Sequence, residues 1–153
     1  MSALQPSDPE WEAKVRESFA RQGIMATLGA ELTRVEPGLV EIAVDFREGL
    51  SQQHGFFHAG VTSTLMDSAG GYAAFSLFPA GSSILTVEFK INMLAPAQGA
   101  RLFARGRVYK PGRTLTICDV EGLVFGDRGE RVCAKMQQTL MRIDGRADMP
   151  AAG

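Results

Sequence analysis

Between His54 and Phe75 the chain reads HGFFHAGVTSTLMDSAGGYAAF, an apolar run rich in glycine and alanine that holds both histidines of the sequence and one aspartate. A carboxylate in the middle of an apolar helix is rare unless it is paired, hydrogen-bonded or functional. That singles out Asp67. At 3.6 residues per turn Asp67 shares a stripe with Gly60, Ser63, Thr64, Gly71 and Ala74, all small, which leaves room for a water or a ligand beside the carboxylate. His58 stands at the start of the same helix, where the backbone N–H groups of Ala59, Gly60 and Val61 point beyond the N-terminus. Such an end can receive a carbonyl oxygen or an oxyanion. The plainer alternatives are an aspartate on a solvated stripe and a capping or core-edge histidine. His54 receives no role.

Nine residues of helix put His58 and Asp67 about 13 Å apart along the axis and roughly half a rotation out of phase. Within one chain they do not meet. If both serve one site, that site is built from two chains, the helix start of one facing the helix middle of the other, as a two-fold dimer allows. Gly70 and Gly71 each cost the helix roughly 1 kcal/mol relative to alanine, a cost that close packing in a curved sheet accounts for.

The elements that must position these groups are legible from periodicity. EWEAKVRESFARQG, with Trp11, Val15, Ser18 and Phe19 at helical spacing, predicts a short amphipathic helix that closes on Gly23. LGAELTRVEPGLVEIAVDF predicts a hairpin turning at Pro37-Gly38. The long helix covers AGVTSTLMDSAGGYAAF, between Gly55 and the breakers from Pro79 to Gly81. Four strands come after it, with turns at Pro96 to Gly99, Pro111-Gly112 and Gly126 to Gly129. In the first of these, Leu85, Val87, Phe89, Ile91 and Met93 alternate with Thr86, Glu88, Lys90 and Asn92, which predicts one apolar face and a polar reverse. One antiparallel sheet wrapped on one apolar helix, an α+β architecture, satisfies this order with short connections. A single domain over 1–153 is expected, with 1–9 and 145–153 as loose tails.

Sixteen Lys and Arg against seventeen Asp and Glu provide no global field for nucleic acid or an anionic membrane surface, so an anionic ligand must be held locally. No apolar run approaches the roughly 20 residues of a membrane span, and the start MSALQPSDPEWEAKVRESF lacks a secretory pattern. The expected location is cytoplasmic. Cys118 and Cys133 lie in strand-like runs and read as buried free thiols. There is no G-x-S-x-G elbow, no Cys and His pair at suggestive spacing, no phosphate-binding glycine loop and no H-E-x-x-H, so neither a serine or cysteine nucleophile nor a catalytic metal is indicated.

The run QQHGFFHAGVTSTLMD, followed by a strand carrying Thr86 and by the turn YKPGRT, resembles the hotdog-fold acyl-CoA thioesterases of the PaaI/acyl-CoA thioesterase 13 type. Their pattern is a polar amide, then G-x-x-H-G-G, then an aspartate seven residues after the last glycine. The resemblance extends from about Leu28 to Ile143 and implies the hotdog fold. Asp67 matches the carboxylate that activates the attacking water or itself attacks the thioester. Gln52 matches the amide that helps place water and thioester, and Ala59, preceded by His58 and followed by Gly60, matches the residue whose N–H polarises the thioester carbonyl. Thr86 matches a hydroxyl that assists from the neighbouring strand, although its strand parity sets it off the apolar face. Two departures stand out: HGG is HAG here, adding a methyl where the carbonyl approaches, and Gln replaces Asn at 52.

The implied activity is hydrolysis of acyl-CoA, with medium-chain or aryl acyl groups, in a homodimer paired into a homotetramer. Coenzyme A is then part of the substrate and no cofactor is needed. Lys90, Lys110 and Arg113, with Arg105 or Arg107, are the cations available for its phosphates. Phe56, Phe57, Met66 and Tyr72 are the side chains along which the acyl group would lie. The alternatives are a non-catalytic acyl-CoA-binding domain, which needs no Asp67, and a dehydratase or hydratase, which wants a second catalytic partner on the long helix.

Overall fold

The computed structural model describes residues 4–126, 129–146 and 148. In chain order the elements are α1 (Trp11–Arg21), α2 (Gly23–Leu28), β1 (Glu31–Glu36), β2 (Leu39–Asp45), α3 (Ala59–Phe75), β3 (Ser83–Met93), β4 (Arg101–Lys110), β5 (Leu115–Gly126) and β6 (Gly129–Ile143). The strands form one antiparallel sheet in the order β1-β2-β4-β5-β6-β3. Helix α3 packs across β2 to β6, burying Leu65, Met66, Ala69, Ala73 and Phe75. This is the hotdog arrangement. No helix among the described residues is long and apolar enough to cross a membrane.

Two glycines set how closely helix and sheet approach. A Cβ on Gly106 of β4 would lie 2.4 Å from the Ala69 carbonyl oxygen, and one on Gly70 of α3 would lie 2.8 Å from Val120. Both positions must therefore stay bare for the helix backbone to reach the strands. Gly71 is different, since a methyl there would meet no atom within 4 Å. Close packing accounts for one glycine of the pair and not the other.

The N-terminal region departs from expectation in two ways. Helix α1 stops at Arg21, Gln22 is extended, and Gly23 opens α2 instead of ending the helical region. The left-handed stop is Gly29, at φ 70°. Residues 4–9 are also not all loose: Ser7 N–H donates to Leu77 O, while the buried Asp8 carboxylate accepts from Glu10 N–H and pairs with Lys14. Lys14 in turn donates to Phe78 O, and Phe19 meets Tyr72 edge to face, so α1 is fastened over the C-terminal half of α3. Of the C-terminal tail, 147 and 149–153 lie outside the described residues, as do 1–3 and, between β5 and β6, 127–128.

The most consequential departure is in β3, the edge strand beyond β6. Its register slips at Val87, with Thr86 opposite Leu140 but Glu88 opposite Thr139. Residues directly opposite in an antiparallel pair share a face, and one extra residue reverses the parity of the remainder of the strand. Thr86 therefore joins buried Leu140 on the helix side, and past the bulge so do Phe89, Ile91 and Met93, opposite Gln138, Met136 and Ala134. The alternation read from sequence breaks at Val87. Leu85 turns to the outer face, and Leu85, Val87, Phe89 and Met93 keep 44 to 54% of their surface exposed along an edge with no strand beyond it among the described residues.

Candidate active site

The segment before α3 is tied at several points. Gly55, at φ 80°, closes a turn by donating to Gln52 O, Ser51 bridges to Phe57, Phe57 N–H donates to Ala97 O, and His58 N–H donates to Leu50 O. These bonds deliver His58 as the N-cap of α3, extended at φ −63°, ψ 141°. Its Nδ1 accepts from Gly60 N–H at 2.8 Å, and its carbonyl accepts from Val61 N–H at 3.0 Å. A Cβ at 60 would press to 3.0 Å from that ring nitrogen, so glycine keeps the cap in place. Of the three N–H groups expected to be free, two are used. Ala59 N–H alone has no acceptor among the described residues.

Ala59 is in the wall of a cavity of about 550 Å³, which Gln52, Phe56, His58, Met93 and Cys133 also line. Phe57 also lines it, whereas Met66 and Tyr72 are closed into the core, the Tyr72 hydroxyl resting on Ser18. Gln52 Oε1 accepts from His54 N–H within the turn, which leaves the side-chain amide N–H groups for any ligand. Both cysteines are buried and free, and burial with the nearby Asp119 pushes the Cys118 thiol up to about 12. Ser63 and Thr64 hydroxyls donate back to Ala59 O and Gly60 O, so neither proton is offered to a substrate.

Asp67 sits further along α3 and outside that cavity. Its Oδ1 accepts from Thr86 Oγ1 at 2.8 Å and from Gln138 Nε2 at 2.5 Å, while Gln138 Nε2 also reaches Asp67 O at 3.0 Å. Oδ2 has no partner among the described residues. The carboxylate opens onto the half-exposed stripe of α3 that carries Thr64 and Gly71. Thr86 thus meets Asp67 within one chain, through the bulge at Val87, where strand parity alone set it on the wrong face. Gln138 is the partner of Asp67 that sequence reasoning missed. Its signal was there: in Ala134, Met136, Gln138 and Leu140 the amide occupies a core-facing position of an apolar row.

The structure thus assembles two groups and keeps them apart. Gln52, His58, Ala59 and Gly60 cluster at the start of α3, and Asp67, Thr86 and Gln138 cluster at its middle. The candidate phosphate ligands are likewise divided. Lys90 is exposed on β3, and Lys110 with Arg113 is exposed at the β4–β5 turn, with β6 and β5 lying between strands β3 and β4. Arg105 is not available: Glu41 and Glu130 hold its guanidinium in charge-assisted bonds that raise its pKa and lower that of Glu130.

A six-stranded antiparallel sheet closed on one long helix defines a protein of the hotdog fold. The family model of the thioesterase superfamily matches residues 54–130. A thioesterase family protein of Silicibacter pomeroyi is 52% identical and superposes with a TM-score of 0.86, over 88% of this chain and 99% of that one. The PaaI protein of the E. coli phenylacetic acid degradation operon shares the fold at 18% identity, TM-score 0.80, over 92% and 99% of the two chains. The proofreading thioesterase EntH of Klebsiella pneumoniae is 24% identical over 72% of this chain and 79% of its own. The chain belongs to the thioesterase superfamily, and it is a thioester hydrolase.

Proposed function

We propose that this hydrolase cleaves acyl-CoA thioesters at a site shared between two copies of the chain. The observation that carries the reading is the separation itself: one chain holds a free carbonyl-binding N–H beside an apolar cavity, and, elsewhere on the same helix, a carboxylate with one free oxygen. The bare edge of β3 supplies the means of joining them. The α3 start borders β3 at Met93, and Asp67 borders it at Thr86. Antiparallel pairing of two β3 edges about a two-fold axis exchanges the ends of the strand, and so brings Thr86 and Asp67 of one copy toward the Met93 end of the other.

In that arrangement the thioester oxygen lies on Ala59 N–H, and charge developing there in the transition state meets the helix N-terminus. Asp67 from the other copy orients a water and takes its proton. The water oxygen bonds to the carbonyl carbon, the C–S bond breaks, and the proton held by Asp67 passes to the leaving sulfur, so that coenzyme A departs as thiol with the free acid as the other product. The amide of Gln52 helps hold water and thioester. Lys90, Lys110 and Arg113 are the cations offered to the coenzyme A phosphates, and a cavity of about 550 Å³ with Phe56 and Phe57 in its wall suits a medium-chain or aryl acyl group. Following the resemblance, we extend the reading to a cytoplasmic homotetramer of two such dimers.

The test is thiol release from short, medium, long and aryl acyl-CoAs by the native protein and by Asp67→Ala, each confirmed folded. We expect turnover of at least one class and a loss of about 10²-fold or more in the variant. If Asp67→Ala keeps native turnover, the carboxylate mechanism is wrong. If neither protein releases thiol, acyl-CoA is not the thioester that this hydrolase cleaves.

A further inference from the structure

The polar group hardest to explain in this molecule is Gln138. Its side chain is 1% exposed on the helix face of β6, opposite Phe89 on one side and Cys118 on the other. Its Oε1 is buried without a hydrogen-bond partner and presses against the helix at Gly70, where a Cβ would come within 2.1 Å of it. A leucine or methionine would fill this space without stranding a carbonyl oxygen, so stability alone argues against an amide here. What the amide does have is Asp67: Nε2 bonds both Oδ1 and the main-chain oxygen of that residue, and stands 3.4 Å from Thr86 Oγ1. The orientation is forced, because turning the amide over would set three oxygens against one another.

We propose that Gln138 is a positioning residue for hydrolysis, holding Asp67 by Oδ1 so that Oδ2 alone faces the substrate. This rests on the carboxylate mechanism above and deepens it. Thr86 is the second arm of the same clamp, spending its proton on Oδ1 and not on the thioester. Two donors on one oxygen and a tie to the main chain fix the side-chain torsions of Asp67 and the plane of its carboxylate, so that the second oxygen stays turned to the open side. The bare Cα of Gly70 is the space that admits the clamp. Reaction rates depend steeply on such alignment, a displacement of about 1 Å costing up to 10²-fold.

The experiment is a double-mutant cycle read by steady-state kinetics on the best acyl-CoA, with Gln138→Met, Asp67→Ala and the pair, and Gln138→Leu as a second apolar replacement should the first fail to fold. We expect Gln138→Met to lower kcat about 10-fold or more with KM little changed, to keep or raise Tm, and to add nothing once Asp67 is alanine. A merely structural amide would instead lower Tm and leave kcat in place. Native kcat in a folded Gln138→Met, or an equal loss with and without Asp67, overturns the assignment. Native kcat in Asp67→Ala overturns the mechanism beneath it, and the two failures are distinguished by which single variant stays active.

Discussion

The donor at Ala59 is the smallest feature on which the chemistry turns. It sits at the first position of α3, where a backbone N–H has no helical partner, and His58 before it is already extended. Proline suits both conditions, since it is favoured at the first helical position and prefers an extended residue ahead of it. Ala59→Pro should therefore leave the circular dichroism spectrum and Tm close to native while lowering kcat by about 10²–10³-fold, the cost of losing one oxyanion donor. Ala59→Gly keeps the N–H and serves as the control, expected to retain native kcat. Equal activity in the proline variant would show that the carbonyl is polarised elsewhere.

Among the elements, β3 holds the most information per residue. An edge strand exposing Leu85, Val87, Phe89 and Met93 is a template for pairing unless charge or a covering element blunts it. Antiparallel two-fold pairing sets Leu85 and Val87 of each copy toward the Met93 end of the other, so Leu85→Glu with Val87→Glu puts unpaired charge into an apolar seam twice over. The expected result by analytical ultracentrifugation is a shift from the native assembly toward smaller species that lack this seam, with thioesterase activity falling in step. A dimer that survives with full activity would move the interface elsewhere. Leu85 lies on the outer face of the strand, away from the clamp that Thr86 and Gln138 form on Asp67.

At the scale of the whole molecule the prediction concerns which copies complete a site. A mixed dimer of Asp67→Ala and Ala59→Pro chains has one site with both native groups and one with neither, if each site draws on two chains. Random mixing should then recover about one quarter of native activity from two nearly inactive parents, half the dimers being mixed and half their sites intact. If each chain carries its own complete site, no mixture recovers anything. The assay needs only co-refolded subunits and thiol release.

Much of this protein was legible from residue order alone. The bounds of α3, the hairpin at Pro37-Gly38, the four later strands, and the impossibility of His58 meeting Asp67 all come from periodicity, turn residues and the rise of a helix, which are local properties of the chain. Single composition signals also sufficed for the buried thiols, because cysteine in an apolar strand run is buried for the same reason its neighbours are. What the sequence could not decide were the outcomes set by distant contacts. The stop at Gly29 in place of Gly23 depends on α2 seating Met25 and Leu28 in the core. The parity of Thr86 depends on a bulge against β6, and the second bond to Asp67 comes from Gln138, 71 residues away. Strand alternation assumes an unbroken ladder, and hydrogen-bond partners across a sheet leave no mark at fixed spacing. Only the folded register decides which oxygen of Asp67 is held and which is free.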